Sequence, residues 1–575
     1  MQQVDYIVII LYAIGIVAAG MVFSGKMKSS KDMFAAGGKS PWWVSGLSAF
    51  MTCFSAGTFV IWGGIAYKYG VVAIVINLCY GVAALLVGRW IAGVWRKAGV
   101  NSASEFLQAR YGSSIVQFYT WVKGLLVMFV TGGSIYALSK VVCALMPLSE
   151  GHFLADPTTG YLSVPITSII VCIIVVIIAF SGGLWAVLVT DVLQFIILSV
   201  SVIFVIPLIF GEVGGISSFI ENVPEGFLSP VVEEYSWWFM IGWVTINFVA
   251  MGGEWAFVQR YVCVPKAKDA KKVAYLIGGL YIISPIFWMI PPLVYRVINP
   301  NADTEQAYIL ACQKVLPTGM IGLMIAAMAS ATASMATTRL NVFAGSFTEI
   351  YQRIKGHTVS EKQVVNVGRI VTIILGGIVL TGALLIPLYG YTNFIIDINT
   401  LLYIPLILPS IWGLFSKKIS LWAVWVTTIT GFISAYIIKF ALVGDGFLTH
   451  VELFKPMVNW IADNSRITDM LSGIIVPLIM LLAFEIFSKK ENEGWAKALS
   501  LKKQFETQKA STASLMPLKM IAITIFIIAL AIAILALVND EHKKLMFSFS
   551  IALAVIAYIA FKYFTKAKKA LSLTD

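Results

Sequence analysis

Residues 42–59 read WWVSGLSAFMTCFSAGTF. The run is apolar enough for a membrane helix, yet Ser, Gly and Thr fall through what would be its centre. A second run, INFVAMGGEWAFVQRY at 246–261, carries Gly252–Gly253 followed by Glu254. Small residues let helices pack closely in a bilayer, and for one such segment that reading suffices. Two of them, five helices apart, favour helices broken near mid-membrane, where unwound backbone offers carbonyls and amides to a ligand. Segments two to six and seven to eleven then form two inverted halves.

The rest of the chain agrees with a membrane setting. Of 575 residues, 59% are hydrophobic and only 12% charged, against about 25% charged in soluble domains; the mean hydropathy is +0.87. Counting runs of about 20 mostly apolar residues gives about 15 spans between residues 5 and 563. No ten-residue alternation suggests a barrel. Asp5 opens a long apolar helix without a basic leader or a small-residue cleavage site, so no cleavable signal peptide is expected.

The net charge of +12 is topological rather than a nucleic-acid footprint. Basic residues fall in alternate loops (GKMKSSK near 25–31, KAKDAKK at 266–272, YQRIKG at 351–356), while 211–235 holds five Glu and no Lys or Arg. By the positive-inside rule the N-terminus lies outside and the C-terminus in the cytoplasm, in a multi-pass protein of the cell (inner) membrane. The six cysteines lie in or beside apolar segments without CxxC spacing, and the four histidines form no ligand cluster. There is no HExxH, GxSxG or Walker loop, so an embedded enzyme is not expected.

One residue resists a purely apolar reading. SGGLWAVLVTDVLQ at 181–194 runs on into FIILSVSVIF, placing Asp191 inside a long apolar helix. A buried carboxylate needs a partner. A sodium ion, the Arg339 guanidinium, or a shallow position at the cytoplasmic helix end each accounts for it.

SPWWVSGLSAFMTCFSAGTF with GIAYKYG, ASEFLQARYG at 103–112, SGGLWAVLVTDVLQ and the Gln259–Arg260 pair resemble the sodium/solute symporter family, in register from about residue 5 to GLFSKK at 413–418. The family includes bacterial sodium-coupled sugar, proline and sialic-acid transporters. The resemblance implies an all-α polytopic membrane protein with a LeuT-type five-plus-five inverted repeat, one extra N-terminal helix and additional C-terminal helices. The corresponding divisions are 1–40 (extra helix and cytoplasmic loop), 41–213 and 236–418 (the two repeats), and 419–575 (peripheral helices with a charged cytoplasmic linker, 489–515).

The family's main sodium site takes two backbone carbonyls from the broken second segment, at Met51 and Phe54 by register on PWW. The ninth segment, MIAAMASATASMATTRLNVFAGSF at 324–347, then supplies the Ala331 carbonyl and the Ser334 hydroxyl, with Met335 where Ser or Thr is usual. A shifted register recruits Ser330 instead. Where the family binds a second sodium, Asp191 joins Ser334, Thr337 and Thr338. Na⁺ is thus the expected coupling ion, a hard cation suited to such oxygens.

The polar residues expected near mid-membrane are Thr58, Asn77, Asn247, Glu254, Trp255, Tyr281, Asp397 and Asn399, and all but Asn399 are candidate solute ligands. Asn247 keeps an asparagine of the sugar transporters; Thr58, Asn77 and Tyr281 replace their glutamine, glutamate and lysine. The amide- and hydroxyl-rich remainder suits a sugar, polyol or sugar derivative, whereas a carboxylate or amino acid such as sialic acid or proline would need helix N-termini or Arg339. A sodium-driven symporter acting as a monomer is the expected function, and a sensor retaining the fold is the alternative from another class.

Overall fold

The computed structural model describes residues 2–24, 38–148, 151–179, 184–356, 360–388, 390, 403–443, 446–463, 465–507, 512–538 and 543–571. Asp397, Asn399 and residues 181–183 lie outside them. The regular elements of the described chain are all helices, joined by loops that hold two isolated bridges, Pro147–Tyr161 and Ala155–Leu162. Nine described helices are long and apolar enough to cross a bilayer, ten when the bent pair around Glu254 counts as one span.

The first part of the chain forms α1 (Gln3–Ser24), α2 (Trp42–Thr52), α3 (Gly63–Tyr69), α4 (Val72–Trp90), α5 (Ala103–Tyr111), α6 (Ser113–Cys143), α7 (Val164–Ala179) and α8 (Leu184–Glu212). The second forms α9 (Trp237–Gly253), α10 (Trp255–Val262), α11 (Ala267–Trp288), α12 (Met320–Lys355) and α13 (Glu361–Leu385). Then come α14 (Ile404–Trp412), α15 (Leu421–Tyr436), α16 (Ser465–Phe487), α17 (Glu493–Thr507), α18 (Met516–Val538) and α19 (Lys543–Leu571). Two groups of helices organise the middle of the molecule. In one, α4 and α11 pack together with α2 and with the α9–α10 pair; in the other, α6, α7, α12 and α13 pack on one another. Helix α8 touches both α2 and α12, and α1 lies against α8 and α12.

Both expected breaks exist. After Thr52 the chain tightens, with Cys53 and Phe54 donating their N–H groups to Phe50 and Met51 carbonyls (3.2 and 3.0 Å). Regular α-helix resumes only through a wide π turn at Thr58–Trp62. The other break falls at Glu254, whose ψ of 132° leaves the helix, and α9 and α10 meet at a 56° bend. Gly252 and Gly253 remain helical, and their reason is packing. A Cβ would come within 2.8 Å of Ile91 at Gly252 and 2.5 Å of Ile407 at Gly253. Glycine as packing surface and a broken helix therefore coexist, one residue apart.

The long helix α12 is pinned at its start by the N-terminal helix. Asp5, 1% exposed, accepts the N–H groups of Gly319 (2.7 Å) and Gly322 (3.1 Å), donors that the first turn otherwise leaves unpaired. A Cβ on Gly322 would lie 2.4 Å from the Asp5 carbonyl oxygen, so glycine there admits α1.

Candidate ion and solute site

A cavity of about 160 Å³ opens between the two helix groups. The first group supplies Thr58, Trp62, Tyr80, Trp243, Asn247, Glu254 and Tyr281 to its wall, the second Val127, Val130, Ser134, Met335 and Arg339, and Tyr403 and Ile404 close it. Both breaks reach the wall, since Thr52 to Thr58 and Ala250 to Glu254 contribute to it. Of the expected solute residues, Thr58, Asn247, Glu254 and Tyr281 line the cavity. Asn77 and Trp255 are not in its wall: Asn77 is 2% exposed and donates to the Ala73 carbonyl (2.8 Å), and Trp255 stacks on Phe343 at 5.3 Å. Asn247 makes the same backbone bond, to Trp243 (2.8 Å), which uses one of its amide's hydrogen-bonding capacities.

The charges of this region were only half visible in the sequence. Glu254 pairs at 2.9 Å with Lys123, a lysine 1% exposed on α6, and accepts a hydrogen bond from the Tyr403 hydroxyl. The Lys123 ammonium also sits 5.0 Å from the Trp255 ring centre, a cation–π contact that gives Trp255 a place beside the network. A lysine in the apolar run 117–142 was the available signal, because intramembrane charges demand partners. Arg339 donates to the Thr131 hydroxyl at 3.2 Å and faces the cavity.

Asp191 is 3% exposed, which removes the reading of it as a surface helix-end residue. One oxygen accepts from Ser334 (2.8 Å) and the other from Ser48 (2.5 Å). Ser48 in turn receives Nε and a terminal nitrogen of Arg260, each at 3.4 Å, and Arg260 is fully buried. The cation facing Asp191 is thus Arg260 on α10, bridged by a serine, whereas Arg339 is turned to Thr131. Arg260 is itself the cation of the Gln259–Arg260 motif at the end of an apolar stretch, so its need for a carboxylate was legible by the rule applied to Arg339.

Around this carboxylate, α12 lies against the first break: the Thr332 hydroxyl accepts the Ala56 N–H at 3.0 Å. Met51, Phe54, Ala331, Thr337 and Thr338 are all buried, and the Thr337 hydroxyl donates to the Ser334 carbonyl (3.0 Å). Ser330, the hydroxyl of the shifted register, accepts instead from Gln194 (2.7 Å). The arrangement offers buried oxygens of one carboxylate and several hydroxyls where a broken helix meets α12, beside the cavity.

The model of the Sodium:solute symporter family matches residues 33–427. The sodium/sialic acid symporter NanT of Aliivibrio fischeri is 27% identical over 65% of this chain and 74% of its own length. Sodium/glucose cotransporter 1 of Mus musculus is 24% identical over 65% and 62% respectively. Among solved structures, the substrate-bound outward-open state of a Na⁺-coupled sialic acid symporter superposes with a TM-score of 0.68 at 24% identity, covering 86% of this chain and 99% of that one. That likeness establishes a shared helical fold.

Proposed function

The chain belongs to the sodium:solute symporter family, and from that membership we propose that it imports a sugar, polyol or sugar derivative together with sodium. It is a transporter rather than an enzyme, with Na⁺ as the coupling ion and a polar organic solute as cargo. The observation that carries the finer reading is the cavity between two helix groups, into which both broken segments and α12 project. Ser334 and its hydroxyl neighbours lie on α12 close to the first break, so an ion there ties the two groups together on one side of the solute. Sodium would be held by the Met51, Phe54 and Ala331 carbonyls with Ser334, and a second ion by Asp191, Ser334, Thr337 and Thr338. Thr58, Asn247, Glu254 and Tyr281 would contact the solute, with Asn77 and Trp255 as outer members of the same set; Asp397 stays a candidate solute ligand by sequence alone.

The surrounding architecture in this proposal is a five-plus-five inverted repeat within about 15 spans, since each run of about 20 apolar residues is one crossing. The N-terminus is outside, the C-terminus is in the cytoplasm of an inner membrane, and the protein works as a monomer. A carboxylate solute is the second reading, and the placement of Arg339 on the cavity wall favours it. The test is linked binding. Solute affinity in purified protein should rise with sodium, and Ser334→Ala should raise the half-saturating sodium concentration about tenfold, one lost charge-assisted oxygen contact. Unchanged sodium dependence in that variant would remove Ser334 from the site.

A further inference from the structure

We propose that Arg339 sets the charge of the cargo: the solute carries a carboxylate, as a sugar acid does, and the guanidinium binds it. The inference rests on the symporter reading of the cavity and follows from an inventory of charge and donors there. Among the described residues, Glu254 already has its counter-charge in Lys123 at 2.9 Å and a further donor in the Tyr403 hydroxyl. That pair is neutral in sum and its carboxylate is occupied. Arg339 differs. Among the described residues its hydrogen-bond partner is the neutral Thr131 hydroxyl at 3.2 Å, no carboxylate lies within ion-pair distance of it, and Asp191 is engaged with Ser48 and Ser334 instead. A guanidinium has five N–H donors arranged to grip a carboxylate with two of them. A cation in a membrane interior is costly without an opposite charge, and the cavity is where that charge can arrive.

Position along α12 strengthens the case. Met335 and Arg339 are one turn apart and both reach the cavity, while Ser334 faces Asp191. One helix therefore presents its ion-side hydroxyl and its cavity-side cation on adjacent faces. Thr131 and Arg339 both belong to the second helix group, so their bond does not join the groups. A solute held by Arg339 on one side and by Asn247 on the other would join them.

The experiment uses full-length purified protein with matched probes: D-glucuronate, D-galacturonate and N-acetylneuraminate, each beside its methyl ester, titrated with and without sodium. At least one acid should bind in sodium roughly ten- to a hundredfold tighter than its ester, the range of a charge-assisted contact. Arg339→Gln should collapse that ratio to about twofold or less, with Arg339→Lys retaining more of it than Gln does. Esters binding as well as acids, an unchanged ratio in Arg339→Gln, or silence from every acid overturns the proposal. If Arg339→Gln yields no folded protein, the wild-type ratio of acid to ester decides alone. Sodium-dependent binding of neutral sugars only leaves the symporter reading standing while removing this one; acid binding indifferent to sodium does the reverse.

Discussion

Asp191 shows how a single residue's partners divide between structure and transport. Its carboxylate is bridged by Ser48 to Arg260 and bonded directly to Ser334, so it belongs at once to a buried charge network and to the helix proposed to hold sodium. Removing one partner of a buried pair costs about 3–5 kcal/mol, because the other charge is stranded. Asp191→Asn and Arg260→Gln should each lower stability by about that amount, and the double variant should recover much of it. In a thermodynamic cycle the 191–260 coupling should therefore exceed about 3 kcal/mol, whereas 191 and 339 should be additive within about 0.5 kcal/mol. Chemical denaturation in one detergent across the six proteins measures both. A large 191–339 coupling would place Arg339 in the ion network and remove it from the cavity.

At the scale of elements, the two breaks were legible because Ser, Gly and Thr interrupt an apolar run, a pattern that needs no tertiary knowledge. Their exact chemistry was not. The Gly252–Gly253 pair reads as the break, yet the turn occurs at Glu254 while the glycines admit Ile91, Ile407 and Ile411. Which side of a glycine is crowded depends on a helix more than a hundred residues away. The stretch 489–515 shows the same limit. Its charge reads as a linker, but α17 within it docks on α5. The anchor is Arg110, 1% exposed, donating to Asn492 (2.8 Å) and to the Ser416 and Ile419 carbonyls (3.0 and 2.9 Å), with Trp495 over its guanidinium at 5.8 Å. Gly494 permits this approach, since a Cβ there would lie 1.9 Å from the Arg110 carbonyl oxygen. Arg110→Ala leaves those acceptors without their donor and should cost roughly 2–3 kcal/mol. Proteolysis should then cut within 489–515 faster than in the wild type; an unchanged cleavage rate would show that α17 docks without the arginine.

For the whole molecule, composition and hydropathy settle the membrane class, and the motifs around Trp42–Trp43 and Asp191 point to the family that residues 33–427 match. The cavity's charge balance was out of reach, since Lys123, Glu254 and Tyr403 come from three distant segments, and only folding makes them one network. In the proposed mechanism the two helix groups enclose a solute whose entry is coupled to sodium. A membrane potential of 100 mV adds about 2.3 kcal/mol per charge moved, enough to accumulate solute against a gradient. The direct measurement is uptake into proteoliposomes of the sugar or sugar acid that binds tightest in sodium. Sodium coupling predicts accumulation above the external concentration under an inward sodium gradient, increased by an inside-negative potential and abolished when a sodium ionophore collapses the gradient. Uptake that stops at equal concentrations, or proceeds equally with potassium in place of sodium, would contradict it.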